Sequence, residues 1–190
     1  MKQLIQLGFC AILAMAVFSC NDQKEGQTNG TKLNKEQARV RYLAIIDSLE
    51  TKALAKKNEP INSALGFSLV KFYAEFADHY ADDPKSPEYL FKAGDISSNL
   101  NAAQPAIEYY KKITEKYPQY EKAPLALFLQ GFIYENQLND TASAGKIYRE
   151  VIVKYPGTQV AKDAAASIQH LGKTPEQLIQ EFEKMQGKGA

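Results

Sequence analysis

The sequence predicts an all-α solenoid of about eight helices in antiparallel pairs, and two observations carry that expectation. The first is a repeated stop: EKYPQYEKAP at 115–124 is followed by VKYPGTQVAK at 153–162, each closing an apolar-periodic stretch. Proline lacks an N–H, its ring collides with the preceding turn, and it pushes the residue before it out of the α region, so each Tyr-Pro reads as a helix end. The second is an alignment of SPEYLFKAGD with APLALFLQGF, which pairs Pro87 with Pro124, Leu90 with Leu127, Phe91 with Phe128 and Gly94 with Gly131. Ala106, Tyr110, Ile113 and Pro118 follow the first glycine at the intervals at which Ala144, Tyr148, Val151 and Pro156 follow the second, apart from one inserted residue in the turn NQLNDTAS. Small, aromatic, aliphatic, proline describes a second helix that lays a 3.6-period face on a first and then stops. Self-similarity at this period, with two helices each time, is the mark of a helical solenoid.

The elements follow in chain order. Residues 1–19 carry Lys2, the apolar run LGFCAILAMAVF and then Ser19, the form of a secretory signal peptide that is removed and is too short to span a membrane. The ending VFSC resembles the lipobox of bacterial lipoproteins, which implies cleavage before Cys20 and lipidation of its thiol; the competing reading is an ordinary signal peptide with an incidental cysteine. Residues 20–33 then hold the lipidated cysteine and NDQKEGQTNGTKL, polar and glycine-containing, expected to be a disordered tether. A helical domain spans 34–186, followed by a tail at 187–190. Within it, 34–80 reads as a degenerate helix pair, with Leu69, Tyr73 and Phe76 in register with the later repeats; 86–118 and 123–156 are full repeats. The stretch 158–186 supplies the first helix of a third repeat, closed by Gly172 as a C′ residue, and a capping helix. That last helix has Thr174 as N-cap, Pro175 in first position and Gln177 completing a capping box. Ser86 and Thr141 are the expected N-caps of the repeat helices. Gly94 and Gly131 cost their helices about 1 kcal/mol each relative to alanine, so a close helix crossing opposite Ala106 and Ala144 is the expected reason for them.

Composition narrows the function. Of the two cysteines, Cys10 leaves with the signal and Cys20 carries lipid, so no thiol remains for a disulfide, a metal or a nucleophile. Removing Lys2 balances the 23 basic residues against the 22 acidic ones, and a neutral chain offers no overall field for nucleic acid. His79, beside Asp78 and Asp82, is read as part of a solvated helix end and turn rather than a metal cluster, and His170 as a helix C-terminal residue favoured by the dipole. The lysine pairs at 56–57 and 111–112 are read as solvated faces. There is no phosphate loop, no HExxH and no nucleophile elbow. The expectation is no enzyme, no cofactor, no metal and no nucleic acid.

The residues of the two repeats resemble the tetratricopeptide repeat, TPR, with Leu90 and Leu127 where tryptophan is typical and Ile113 and Val151 where alanine is. Lipobox and Tyr-Pro endings together resemble the TPR lipoproteins of the bacterial outer membrane, of the BamD and CpoB kind, and the SCND start is similar to lipoproteins of the Bacteroidota. The resemblance implies a lipid-anchored, periplasm-facing scaffold that binds another envelope protein and acts in outer-membrane protein assembly or envelope organisation. The alternative is a chaperone-like holder of extended clients. It also implies that the first helix of each repeat lines a concave groove, with Phe91, Asp95 and Ser98 in one repeat and Leu125, Phe128, Phe132 and Glu135 in the next as candidate partner contacts. Inter-repeat core is the competing reading for Phe91 and Phe128. The acidic Asp95 and Glu135 stand where a basic carboxylate clamp would need cations, so a peptide carboxylate is not the expected ligand.

Overall fold

A computed structural model describes residues 24–55, 61–174, 176–177 and 179–180. The signal peptide, Cys20 and the tail at 187–190 lie outside the described residues. The chain divides into two units, 1–38 and 39–190; the first contributes only the helical residues 24–38, the start of the N-terminal helix, and every packing contact described below lies in the second. Seven helices run in order: α1 Lys24–Leu54, α2 Ser63–His79, α3 Ser86–Asn99, α4 Ala103–Lys116, α5 Ala123–Asn136, α6 Thr141–Lys154 and α7 Gln159–His170. No strand occurs among the described residues. The eighth helix is represented by its start: the Thr174 hydroxyl accepts from the Gln177 amide at 3.3 Å, the Gln177 side chain accepts from the Thr174 amide at 2.9 Å, and residues 176–177 and 179–180 are helical. The expected capping box is formed.

Each repeat buries the face that its spacing singles out. A first core joins Ile46 of α1 to Leu69, Tyr73 and Phe76 of α2 and Tyr89 of α3. A second joins Leu90 and Phe91 of α3 to Ile107, Tyr110 and Ile113 of α4 and Ala126 and Ile133 of α5. The third joins Leu127 of α5 to Ala144, Tyr148 and Val151 of α6 and Ala164 of α7. Every core draws on consecutive helices, so each repeat is stabilised by its neighbours, which is the energetic pattern of a solenoid. Tyr110 and Tyr148 are almost fully enclosed, and burying an aromatic or large aliphatic side chain in this way contributes about 1.5–3 kcal/mol.

The helix ends show what sets the period. Tyr80, Tyr117 and Tyr155 close α2, α4 and α6 with nearly the same backbone angles, φ −126 to −129° and ψ 51 to 54°. Their amides bond back to the carbonyls of Phe76, Ile113 and Val151. Pro118 and Pro156 follow two of them, but Ala81 follows Tyr80, so the degenerate pair ends in the same geometry without proline. Two asparagines, Asn101 and Asn139, take positive φ (57° and 52°) in the turns inside the repeats. Their short polar side chains make them the usual non-glycine choice there. Gly172 has φ 75° just after α7, as expected of a C′ residue, and His170 lies in the last turn of that helix.

Three expectations are corrected. The backbone is helical from Lys24, so α1 begins inside the stretch read as a tether; once a helix is nucleated, extending it adds one hydrogen bond per residue fixed. The N-cap of α6 is Asp140, whose carboxylate accepts from the Ser143 amide at 2.9 Å, and Thr141 is the first helical residue. Lys85 caps α3 without a side-chain bond, because the buried Ser86 hydroxyl donates instead to the Tyr80 carbonyl at 2.6 Å and ties α3 to the end of α2.

Candidate functional site

The first helices α3, α5 and α7 present a face on which side chains recur at the repeat shift. On α3 it carries Glu88, Lys92 and Asp95; on α5 the equivalent positions are Leu125, Leu129 and Phe132; on α7, Lys162, Ala166 and Gln169 are exposed. Spacings of 4 and 3 keep each trio on one side of its helix. The α3 trio is ionic, with the Lys92 ammonium 2.8 Å from Glu50 on α1 and 3.1 Å from Glu88. The α5 trio is apolar: Phe132 is 44% exposed, Leu125 36%, and Leu129 is half-buried between them.

Beneath this face runs a ladder of tyrosine–carboxylate pairs. The second-helix tyrosines Tyr73, Tyr110 and Tyr148 are buried, and each hydroxyl donates to a carboxylate on the preceding first helix: Glu50 at 2.6 Å, Asp95 at 2.6 Å and Glu135 at 2.7 Å. Burial and the adjoining carboxylate push all three phenols well above their ordinary range. The rungs differ in charge balance. Burial alone would raise Glu50, but hydrogen bonds from Lys92 and Tyr73 outweigh it and hold the carboxyl below its ordinary value. On Asp95 burial wins over the Tyr110 bond and the charge of Lys122, and the carboxyl is raised.

The glycines explain the rungs. A Cβ on Gly94 would stand 2.6 Å from the Tyr110 ring, and one on Gly131 would stand 2.7 Å from the Tyr148 ring. The close approach expected of these glycines is present, but its partner is the tyrosine and not Ala106 or Ala144. Bare backbone lets the ring come close against the first helix, from where its hydroxyl reaches the carboxylate. Phe91 and Phe128 flank the same rings at centroid distances of 5.6 and 5.3 Å.

Of the seven residues expected to line the groove, Leu125 and Phe132 are exposed, whereas Phe91 is buried and Phe128 half-buried against their own tyrosines. Asp95 and Glu135 each commit one oxygen to a hydroxyl. Ser98 is engaged by Gln137, whose side-chain amide donates to the Ser98 hydroxyl at 2.9 Å and to its carbonyl at 3.1 Å. Gln137 is the C-cap of α5, so the end of the second repeat's first helix is clipped onto the first repeat. Sequence spacing missed Glu50, Lys92, Leu129 and Gln137. The regular interval from Tyr73 to Tyr110 to Tyr148 is the signal for the ladder, because a buried phenol hydroxyl needs an acceptor. His79 packs its ring 5.8 Å from Tyr42, and among the described residues no group of three or more His, Cys, Asp or Glu could hold a metal. No helix among them is long and apolar enough to cross a membrane.

Stacked helix pairs with an open face on their first helices define a TPR-type α-solenoid. A family model described as tetratricopeptide repeat matches residues 88–120 and 125–158, the two segments that carry the paired glycines and tyrosines. The chain thus contains two tetratricopeptide repeats, modules that bind protein partners, and it is an interaction scaffold of that kind. The fold is typical of non-enzymatic scaffolds. Comparison with curated proteins gives no match.

Proposed function

We propose that this chain is a non-enzymatic scaffold held on the outer membrane, facing the periplasm, that binds another envelope protein through the face of its first helices. In that role it serves outer-membrane protein assembly or envelope organisation. The observation that carries the binding reading is the apolar stripe of Leu125, Leu129 and Phe132, with Leu125 and Phe132 exposed, set on the repeat face and flanked by Glu88, Lys92 and Asp95 of α3 and by Lys162 and Gln169 of α7. An exposed aromatic within such a stripe is a typical anchor for a partner. The membrane reading rests on the signal-like start and the VFSC sequence ending at Cys20. Acyl chains contribute about 0.8 kcal/mol per buried CH₂, and two anchoring signals suffice for stable attachment.

The test is affinity recovery from detergent-solubilised membranes of the native organism, comparing wild type, Cys20→Ala and the pair Leu125→Ser with Phe132→Ser. The expected result is a stoichiometric partner with wild type, its loss with the groove pair, and loss of the acyl mass and of membrane attachment with Cys20→Ala. A heterogeneous set of unfolded clients would replace the scaffold with a chaperone-like holder. Retention of the acyl mass in Cys20→Ala would sink the anchor.

A further inference from the structure

We infer that the second and third tyrosine–carboxylate rungs form a cation-accepting site, and that the partner segment docking on the apolar stripe of α5 carries lysine or arginine side chains next to its apolar ones. This deepens the groove reading and rests on it. The argument comes from comparing the three rungs with one another. On the first, Tyr73 donates to Glu50, and the Lys92 ammonium completes the pair at 2.8 Å while lying 5.8 Å from the centre of the Tyr73 ring. That rung shows what the arrangement takes: an ammonium on the carboxylate, over the face of the phenol. On the second and third, Tyr110 and Tyr148 hold Asp95 Oδ1 and Glu135 Oε2 in the same way. The position equivalent to Lys92 on α5 is Leu129, so the protein supplies no lysine there. Lys122 influences Asp95 from a distance, but its ammonium sits 5.1 Å from the centre of the Phe91 ring and makes no ion pair with the carboxylate among the described residues.

Each of these two carboxylates takes its tyrosine hydroxyl on one oxygen, and the Gln137–Ser98 hydrogen bonds join the helix ends that carry them, Asp95 standing three residues before Ser98 and Glu135 two before Gln137. Asp95 is half-buried, and burial pushes its carboxyl up, so an arriving cation meets a charge that is poorly solvated. Phe132 occupies the position equivalent to Asp95 and lies one turn before Glu135, so one segment can cover the aromatic and reach both acids. Acidic segments and free C-terminal carboxylates would meet like charge and are disfavoured.

The probe is a random-peptide display library selected on the full chain in detergent, with the enriched peptides then measured by fluorescence polarisation. Enrichment of lysine or arginine beside leucine, isoleucine or phenylalanine is expected. Asp95→Asn with Glu135→Gln keeps an acceptor for each tyrosine hydroxyl, so the melting temperature should hold while affinity falls at least about tenfold and loses most of its salt dependence. Glu115→Gln, on an exposed flank of α4, should bind as wild type. Peptides that need Phe132 but bind the Asp95→Asn, Glu135→Gln protein as tightly as wild type overturn the cation site and leave the groove standing. If no peptide depends on Phe132, both fall.

Discussion

Gly131 shows how a single missing methyl group sets a contact. Alanine is the better helix former by about 1 kcal/mol, so propensity alone makes Gly131→Ala stabilising. The structure reverses the sign. The new Cβ would stand 2.7 Å from a ring atom of Tyr148, a side chain packed on all sides, and overpacking of this kind costs about 1–3 kcal/mol. Gly145 is the internal control, because the atoms facing its Cβ are a Leu171 methyl at 3.0 Å and the Arg149 guanidinium at 3.4 Å, the movable ends of side chains. Thermal melts should therefore show Gly131→Ala well below wild type and Gly145→Ala close to it. Equal melting temperatures would remove the ring-on-backbone contact from the account.

The carboxylates give a second residue-scale test, with opposite signs on two rungs. Glu50 is held below its ordinary value of 4.5, so its stabilising effect is present above that value and is lost as the pH falls through the lower folded one. Asp95 is raised above its ordinary value of 3.8, so its contribution is fully present below that value and is lost as the pH rises through the higher folded one. Relative to wild type, Glu50→Gln should be least stable near neutrality and recover on acidification, whereas Asp95→Asn should gain ground as the pH rises. Parallel pH profiles for the two variants would contradict the difference in charge balance between the rungs.

Among the elements, the second helices and their stops were the most legible. Proline at 118 and 156 announced two ends correctly, yet α2 stops at Tyr80 in the same geometry with Ala81 behind it. The shared feature is the tyrosine at the cap, and the Tyr117 hydroxyl also reaches the Ala81 carbonyl at 2.9 Å, tying one repeat end to the last. Pro118→Ala should accordingly leave the helical content by circular dichroism unchanged; a gain of about a turn of helix would show that proline alone enforces the stop. The helix pairs were readable because spacing reports which side of a helix is buried. Spacing does not report how far along that side a contact is made. Asp95 follows Gly94 by one residue and Glu135 follows Gly131 by four, and both accept from the tyrosine of their own repeat, the longer side chain being used one turn later. Alignment by number therefore paired Asp95 with Phe132 and hid the shared role. Gln137 was hidden for a related reason: a polar residue at a helix end looks solvated, and only packing shows it reaching Ser98.

At the scale of the whole molecule, the cores run through the stack and leave the first helices with one side unspent. Along that side the chemistry changes from the ion-paired Glu50, Lys92 and Glu88 to the apolar Leu125, Leu129 and Phe132 and then to the polar Lys162 and Gln169. A partner held there is the central claim, and site-specific photo-crosslinking in cells of the native organism tests it most directly. A photo-reactive amino acid placed at Phe132 on α5 should give a discrete adduct with one partner, and the same group at Lys146, exposed on α6, should give none. An adduct at Lys146 with nothing at Phe132 would put the binding surface on the second helices and contradict the account.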